Sequence, residues 1–200
     1  TGLSVDNSEA MGALSDAGLT EEDILAGRFD GAEIELRLVN WVRTDERMIL
    51  FRGELGEIER AGGAFKAELR GIAERLNTPR GRLYQRQCRA VLGDAECGVD
   101  LTGFSHNAVV EAVEGSVLTV PLQPRETGWF AQGTLHVLDG AARGEARSIR
   151  TDETVGANRR IGLWTATGGA IVPGDRVRIV AGCDKRAETC RAKFANMTNF

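Results

Sequence analysis

Four cysteines in two widely separated pairs place the strongest constraint on how this chain can fold. "QCRAVLGDAECG" holds Cys88 and Cys97, and "AGCDKRAETCRAKFAN" holds Cys183 and Cys190. Four cysteines in 200 residues is far below the density of disulfide-stapled secreted modules. A metal site or buried thiols fit such usage better. The spacings, eight residues between the first two and six between the second two, are wider than the two-to-four-residue loops common in structural zinc sites. Zinc is therefore not indicated by spacing.

If Cys183 and Cys190 shared one continuous helix, their α-carbons would stand about 10 Å apart at about 1.5 Å per residue, long for a compact four-sulfur cage. Cys183 is therefore expected in the loop at Gly182, and Cys190 in the helix that follows. Arg86, Arg89, Lys185, Arg186 and Arg191 surround the cysteines in sequence, and nearby cations favour thiolates and offset the charge of four sulfur ligands. Thiolate is the form iron binds. Two local disulfides, or four buried thiols beside a solvated basic face, explain the same residues. Spacing alone does not choose between them. His106 and His136 lie singly on strand-like segments and read as surface or core residues.

The rest of the chain is dominated by a two-residue period. In "AEIELRLVNW" Ile34, Leu36 and Leu38 alternate with Glu33, Glu35 and Arg37, the pattern of a strand buried on one face. "RMILFRGELGEIER" and "GGAFKAELRGIAERL" continue as short strand-like runs, with Gly53, Gly56, Gly62 and Gly63 as punctuation. Ahead of them "TEEDILAGR" reads as a short helix, with Thr20 as N-cap, acidic residues 21–23 in the first turn and Gly27 near the stop. A twisted sheet with a flanking helix follows.

After "NTPRGRLYQRQC" the runs "AVVEAVEGSVLTVPL", "GTLHVLDG", "EARSIRT", "RRIGLWTAT" and "GDRVRIVAG" form a meander with Gly or Pro turns, the spacing of a small barrel or sandwich. Ala187, Cys190, Phe194 and Met197 then fall on one face of a terminal helix. The expected fold is mainly β with a few short helices (α+β), divided into residues 1–80 and 81–200.

A net charge of −4 supplies no global field for holding nucleic acid. No apolar stretch approaches the ~18 residues of a membrane helix, and no signal-peptide pattern is present. The chain opens without an initiator methionine and stops at "NMTNF", which reads as the interior of a longer polypeptide. Motifs of hydrolases, metalloproteases and radical enzymes are absent from the sequence, and acidic pairs such as Glu21 and Glu22 or Glu57 and Glu59 are explained by capping and strand alternation. The chain therefore reads as no enzyme. Trp41, Trp129 and Trp164 border strands and read as core or interface anchors, with envelope-glycan binding as a minor alternative.

On "YQRQCRAVLGDAECGVDL", "GTLHVLDGAARGEARSI" and "PGDRVRIVAGCDKRAETCRAKFANMTNF", supported by "LTEEDILAGRFDGAEIELRLVNW" and "FKAELRGIAERLN", the chain resembles the tail-tip hub proteins of gene transfer agents and long non-contractile phage tails, a group related to the minor tail protein L family. The resemblance covers nearly the whole chain and is most specific in the final block. It implies a structural protein, a homotrimer seated between the distal tail ring and a large central host-facing tail-tip protein. Passing DNA would be a transient occupant of its channel. It further implies a tail-tube-like β-barrel region before residue 81, assembly in the bacterial cytoplasm, and an iron–sulfur cluster of the four-iron type on Cys88, Cys97, Cys183 and Cys190. Within that frame Glu33 or Glu35 is expected to face the channel. The family pattern extends beyond both ends of this sequence, so the first sheet is expected to be incomplete. The alternative is a zinc- or disulfide-stabilised tail-tip module that recognises cell-envelope glycan.

Overall fold

The computed structural model describes residues 8–13, 20–61, 64–77, 81, 85–122 and 125–200. It is mainly β, in two compact units, residues 1–82 and 83–200.

The first unit is one antiparallel sheet. Strands β1 (Ser8–Ala13), β2 (Glu33–Val39), β3 (Arg47–Ala61) and β4 (Ala64–Gly71) are ordered β1-β4-β3-β2. Helix α1 (Glu21–Leu25) starts where the sequence signals it: the Thr20 hydroxyl oxygen accepts the Asp23 amide at 3.1 Å, and Gly27 ends the turn at φ +73°. A one-turn helix α2 (Glu74–Asn77) follows β4.

The glycine punctuation expected at residues 53 and 56 does not break the strand, because β3 runs through both as a single 15-residue element. A Cβ on Gly53 would meet the Arg70 carbonyl oxygen at 2.1 Å, and one on Gly56 would meet the Arg70 guanidinium at 2.5 Å. These glycines permit close approach beside the register shift between Leu55 and Ile58. Gly62 and Gly63 lie outside the described residues, as do residues 78–80 and 82–84 around the expected division of the chain.

Register gives this sheet two unlike faces. Ile34, Leu36 and Leu38 stand opposite Gly53, Phe51 and Met48, on the side that carries Leu55, Leu69 and Ala67. Glu33 and Glu35 share the other side with Arg52, Glu54, Glu68 and Arg70, where Glu35 pairs with Arg37 and Arg52, and Arg70 pairs with Glu68. Those two guanidiniums hold the Glu35 carboxyl below its usual range. The apolar side is covered over β4, with Ala67 and Leu69 buried, and open over the β2–β3 hairpin, where Leu36, Leu38 and Met48 are 53%, 57% and 58% exposed.

The second unit is a seven-stranded antiparallel sheet: β5 (Ser105–Val109), β6 (Ala112–Glu114), β7 (Val117–Pro121), β8 (Thr134–Val137), β9 (Ala146–Val155), β10 (Asn158–Leu163) and β11 (Arg176–Val180), ordered β5-β11-β8-β9-β10-β7-β6. Its two end strands, β5 and β6, are consecutive, with two residues between them. Val110 donates to Asp175 on the β11 side, and Glu111 donates to Thr119 on β7. The chain thus passes directly from one end strand to the other, and the sheet curls. Alternate residues fill the interior, including Val110, Leu118, Val120, Phe130, Leu135, Ile149, Ile161, Val177 and Ile179.

Helix α3 (Ala187–Phe194) follows β11 after a short loop. It stops before Met197, contrary to the face expected from spacing. Ala195 adopts the left-handed conformation at φ 50° and the Asn196 amide reaches back to the Cys190 carbonyl at 3.2 Å, so Met197 belongs to a separate 3-10 turn, Met197–Asn199. Among the described residues no helix is long and apolar enough to cross a membrane.

Candidate four-cysteine site

Cys88, Cys97, Cys183 and Cys190 line one small pocket of the second unit, with an empty volume of about 330 Å³ including its mouth. Apolar walls come from Ala90, Leu92, Val99, Phe194 and Phe200, and polar ones from Lys185, Arg186, Asn196 and Asn199. All four cysteines are free thiols, so the two local disulfides weighed from the sequence are not formed. Cys97 and Cys190 are buried, while Cys88 and Cys183 are half-buried.

Each cysteine is placed by its local chain. Cys88 is tied across the two segments: its amide donates to the Lys185 carbonyl at 3.0 Å, and the Lys185 ammonium returns a bond to the Ala90 carbonyl. Cys97 sits on a turn organised by Asp94, whose carboxylate accepts the amides of Val91, Glu96 and Cys97 at 2.8, 3.0 and 2.7 Å. Those bonds, that of Cys97 first, hold the Asp94 carboxyl below its usual range. Cys183 lies in the loop after β11, where Gly182 packs so closely on the chain that a Cβ would fall 1.6 Å from the Ala131 carbonyl oxygen. Cys190 faces inward from α3, and its thiol donates to the Asn196 carbonyl at 3.3 Å.

The electrostatics differ from the sequence expectation. Of the five cations named there, Lys185 and Arg186 line the pocket, whereas Arg86, Arg89 and Arg191 are exposed and Arg89 pairs with Glu96. The Cys190 thiol is pushed up, first by burial and then by the neighbouring Cys183, Cys88 and Cys97. Burial thus outweighs the cations at that sulfur.

Sequence reasoning missed Lys193, whose ammonium donates to the carbonyls of Trp129 at 2.5 Å and Gly182 at 2.9 Å and lies 4.3 Å from the Trp129 ring centre. Burial lowers its pKa. It pins α3 to the loop that carries Cys183. Asp94, Asn196 and Asn199 were missed as well. The Gly-Asp turn signal before Cys97 pointed to the first, while the other two act across 99 and 102 residues, a relationship no local pattern encodes.

Four thiols converging on one apolar-walled pocket form a soft donor set. Among the described residues, no three His, Cys, Asp or Glu side chains are grouped so as to hold a single metal ion. Neither histidine lines the pocket. His106 packs edge-on against Phe130, with ring centres 5.7 Å apart. A second cleft, with an empty volume of about 720 Å³ including its mouth, is lined by Val113, Ser116, Leu118, Leu163, Thr167 and Ile171 among others and carries no titratable or aromatic side chain.

Comparison with known proteins gives the class of this chain, a structural component of a phage-like tail baseplate. The chain belongs to the baseplate hub protein family, whose N-terminal attachment domain matches residues 1–100. Residues 128–200 match a second family, the phage conserved hypothetical protein BR0599. The fold is similar to a chain in the virion of a native gene transfer agent particle, with TM-score 0.88 and 49% identity over 100% of this chain and 70% of that one. No curated protein matches at a significant level. Cys88 and Cys97 fall in the first matched region, and Cys183 and Cys190 in the second.

Proposed function

We propose that this protein is a homotrimeric hub of a gene-transfer-agent or phage-like tail tip, related to the minor tail protein L group, whose C-terminal unit is held together by a four-iron iron–sulfur cluster on Cys88, Cys97, Cys183 and Cys190. The observation that carries the cluster is the meeting of four free thiols, from segments separated by 85 residues, in one apolar-walled pocket with Lys185 and Arg186 at its wall. The residues fit such a group by donor type and number. When bound, the cluster would join the two cysteine segments through two iron–sulfur bonds to each. The protein's part is to present four thiols, each of which would give up its proton to ligate, and to line the pocket with the apolar Leu92, Val99, Phe194 and Phe200.

The hub role rests on the family and on the first unit's sheet. Its open apolar side at Leu36, Leu38 and Met48 offers surface for neighbouring subunits, and for the distal tail ring or the central host-facing tail-tip protein. Its charged side, with Glu33 and Glu35, faces the channel through which DNA passes transiently. Assembly takes place in the bacterial cytoplasm before the tip joins the tail. A density map of the particle tests this reading: three copies beneath the distal ring support it, and one copy or six equivalent copies contradict it.

A further inference from the structure

Asn196 is bonded to one cysteine from each pair. Its main chain clasps Cys190 twice, the amide donating to the Cys190 carbonyl at 3.2 Å and the carbonyl accepting the Cys190 thiol at 3.3 Å. Its side-chain amide nitrogen donates to the Cys97 carbonyl at 2.6 Å and lies 3.7 Å from the Cys97 sulfur, within reach of an N–H···S hydrogen bond. The left-handed Ala195 makes this arrangement, turning the chain at the end of α3 so that residue 196 folds back over the pocket. Asn199 donates to the same Cys97 carbonyl at 3.0 Å and to the Asn196 side-chain oxygen at 3.0 Å, which fixes the amide with its nitrogen toward Cys97.

Resting on the cluster reading above, we infer that Asn196 is a positioning residue for the cluster, donating an N–H to the Cys97 sulfur and so setting how firmly iron is retained and at what potential the site is reduced. Hydrogen bonds to ligand sulfurs are among the determinants of cluster potential, because they withdraw negative charge from the sulfur and favour the reduced form. Partners of this kind change metal retention about 10–100-fold when removed. Asn199, bonded to the Cys97 carbonyl and to the Asn196 side-chain oxygen but not to the sulfur, acts on that sulfur only through Asn196.

The test uses the 200-residue chain loaded with iron and sulfide under anaerobic conditions, comparing wild type with Asn196→Asp, Asn196→Ala and Asn199→Ala. Iron release to a chelator and the midpoint potential of the visible band are measured for each. Both Asn196 variants are expected to release iron about 10–100-fold faster and to show a lower potential, while Asn199→Ala, which keeps the Asn196 donor and loses only the bond that orients it, shows a smaller shift in the same direction. Asn196→Ala keeps the test open if the aspartate disturbs folding. Wild-type release and potential in both Asn196 variants would overturn the inference. So would equal losses in the Asn196 and Asn199 variants without a change in potential, since the carbonyl bond would then be the feature that counts. A wild-type chain that takes up no iron removes the cluster reading, and this inference with it.

Discussion

Arg159 grips Asp152 inside the second unit through two bonds, Nε to Oδ1 at 2.8 Å and Nη2 to Oδ2 at 2.6 Å, with the two side chains 1% and 0% exposed. The guanidinium also donates to the carbonyls of Arg125 and Glu126, and the carboxylate accepts the Phe130 amide at 2.8 Å. This pair therefore anchors the 125–130 segment to β9 and β10. That segment carries the Trp129 carbonyl, which receives bonds from Gly182 and Lys193. The ion pair stands two links from Cys183.

Removing either partner leaves a buried charge uncompensated. Asp152→Ala or Arg159→Ala should each lower stability by about 3–5 kcal/mol, read from urea unfolding of the second unit. A loss below about 1 kcal/mol, the worth of an exposed pair, would show that the segment is held by its other contacts.

Gly182→Ala tests the close approach beside Cys183. Its Cβ would overlap the Ala131 carbonyl oxygen, so the loop must shift, at a cost of about 1–3 kcal/mol or more. Iron loading should fall together with stability, because Cys183 moves with the loop. Unchanged loading would mean that the site tolerates displacement of this strand end.

The parts of this fold that were legible in sequence were those governed by local periodicity. Ile34, Leu36 and Leu38 mark the apolar side of β2, although that side is not buried as the alternation predicts, Thr20 marks the start of α1, and the Gly-bounded runs after residue 104 mark the strands of the second sheet. What failed depended on partners distant in sequence. Gly53 and Gly56 look like breaks until Arg70 from the neighbouring strand is seen beside them, and Met197 keeps the helical spacing although Ala195 has already reversed the chain. The four cysteines could be named from their pairing in sequence. The groups that seat them, Lys193 on Trp129 and Asn196 on Cys97, could not, because each bond spans more than sixty residues.

The hairpin between β2 and β3 presents Trp41, 89% exposed, on a turn in which Asn40 bonds Val42 and Glu46. Trp41→Ser and Leu38→Glu should leave the stability of the isolated chain within about 0.5 kcal/mol. Both should reduce incorporation into tail tips, as loss of a buried interface anchor costs about 2 kcal/mol or more. Counting copies of the variant chains in purified particles checks this. Normal incorporation of both would place the interface elsewhere on the unit.

A shared cluster also predicts coupling between the cysteine pairs. Joining residue 97 to residue 183 closes a loop of 85 intervening residues, worth about 4–5 kcal/mol by chain-entropy estimates, against about 2–2.5 kcal/mol for the short loops within each pair. Cys97→Ser and Cys183→Ser should each forfeit most of that, and the double variant should cost little more than either. Additivity within about 0.5 kcal/mol in anaerobic urea unfolding would show independent thiols.

The most direct measurement is the metal and sulfide content of the protein purified without oxygen from iron-replete cells, with its visible absorption spectrum. A cluster on Cys88, Cys97, Cys183 and Cys190 predicts a brown protein with about four iron and four acid-labile sulfide per chain, both lost when any one of the four is changed to Ser. Stoichiometric zinc without iron, or a colourless protein with four titratable thiols and no metal, would contradict it.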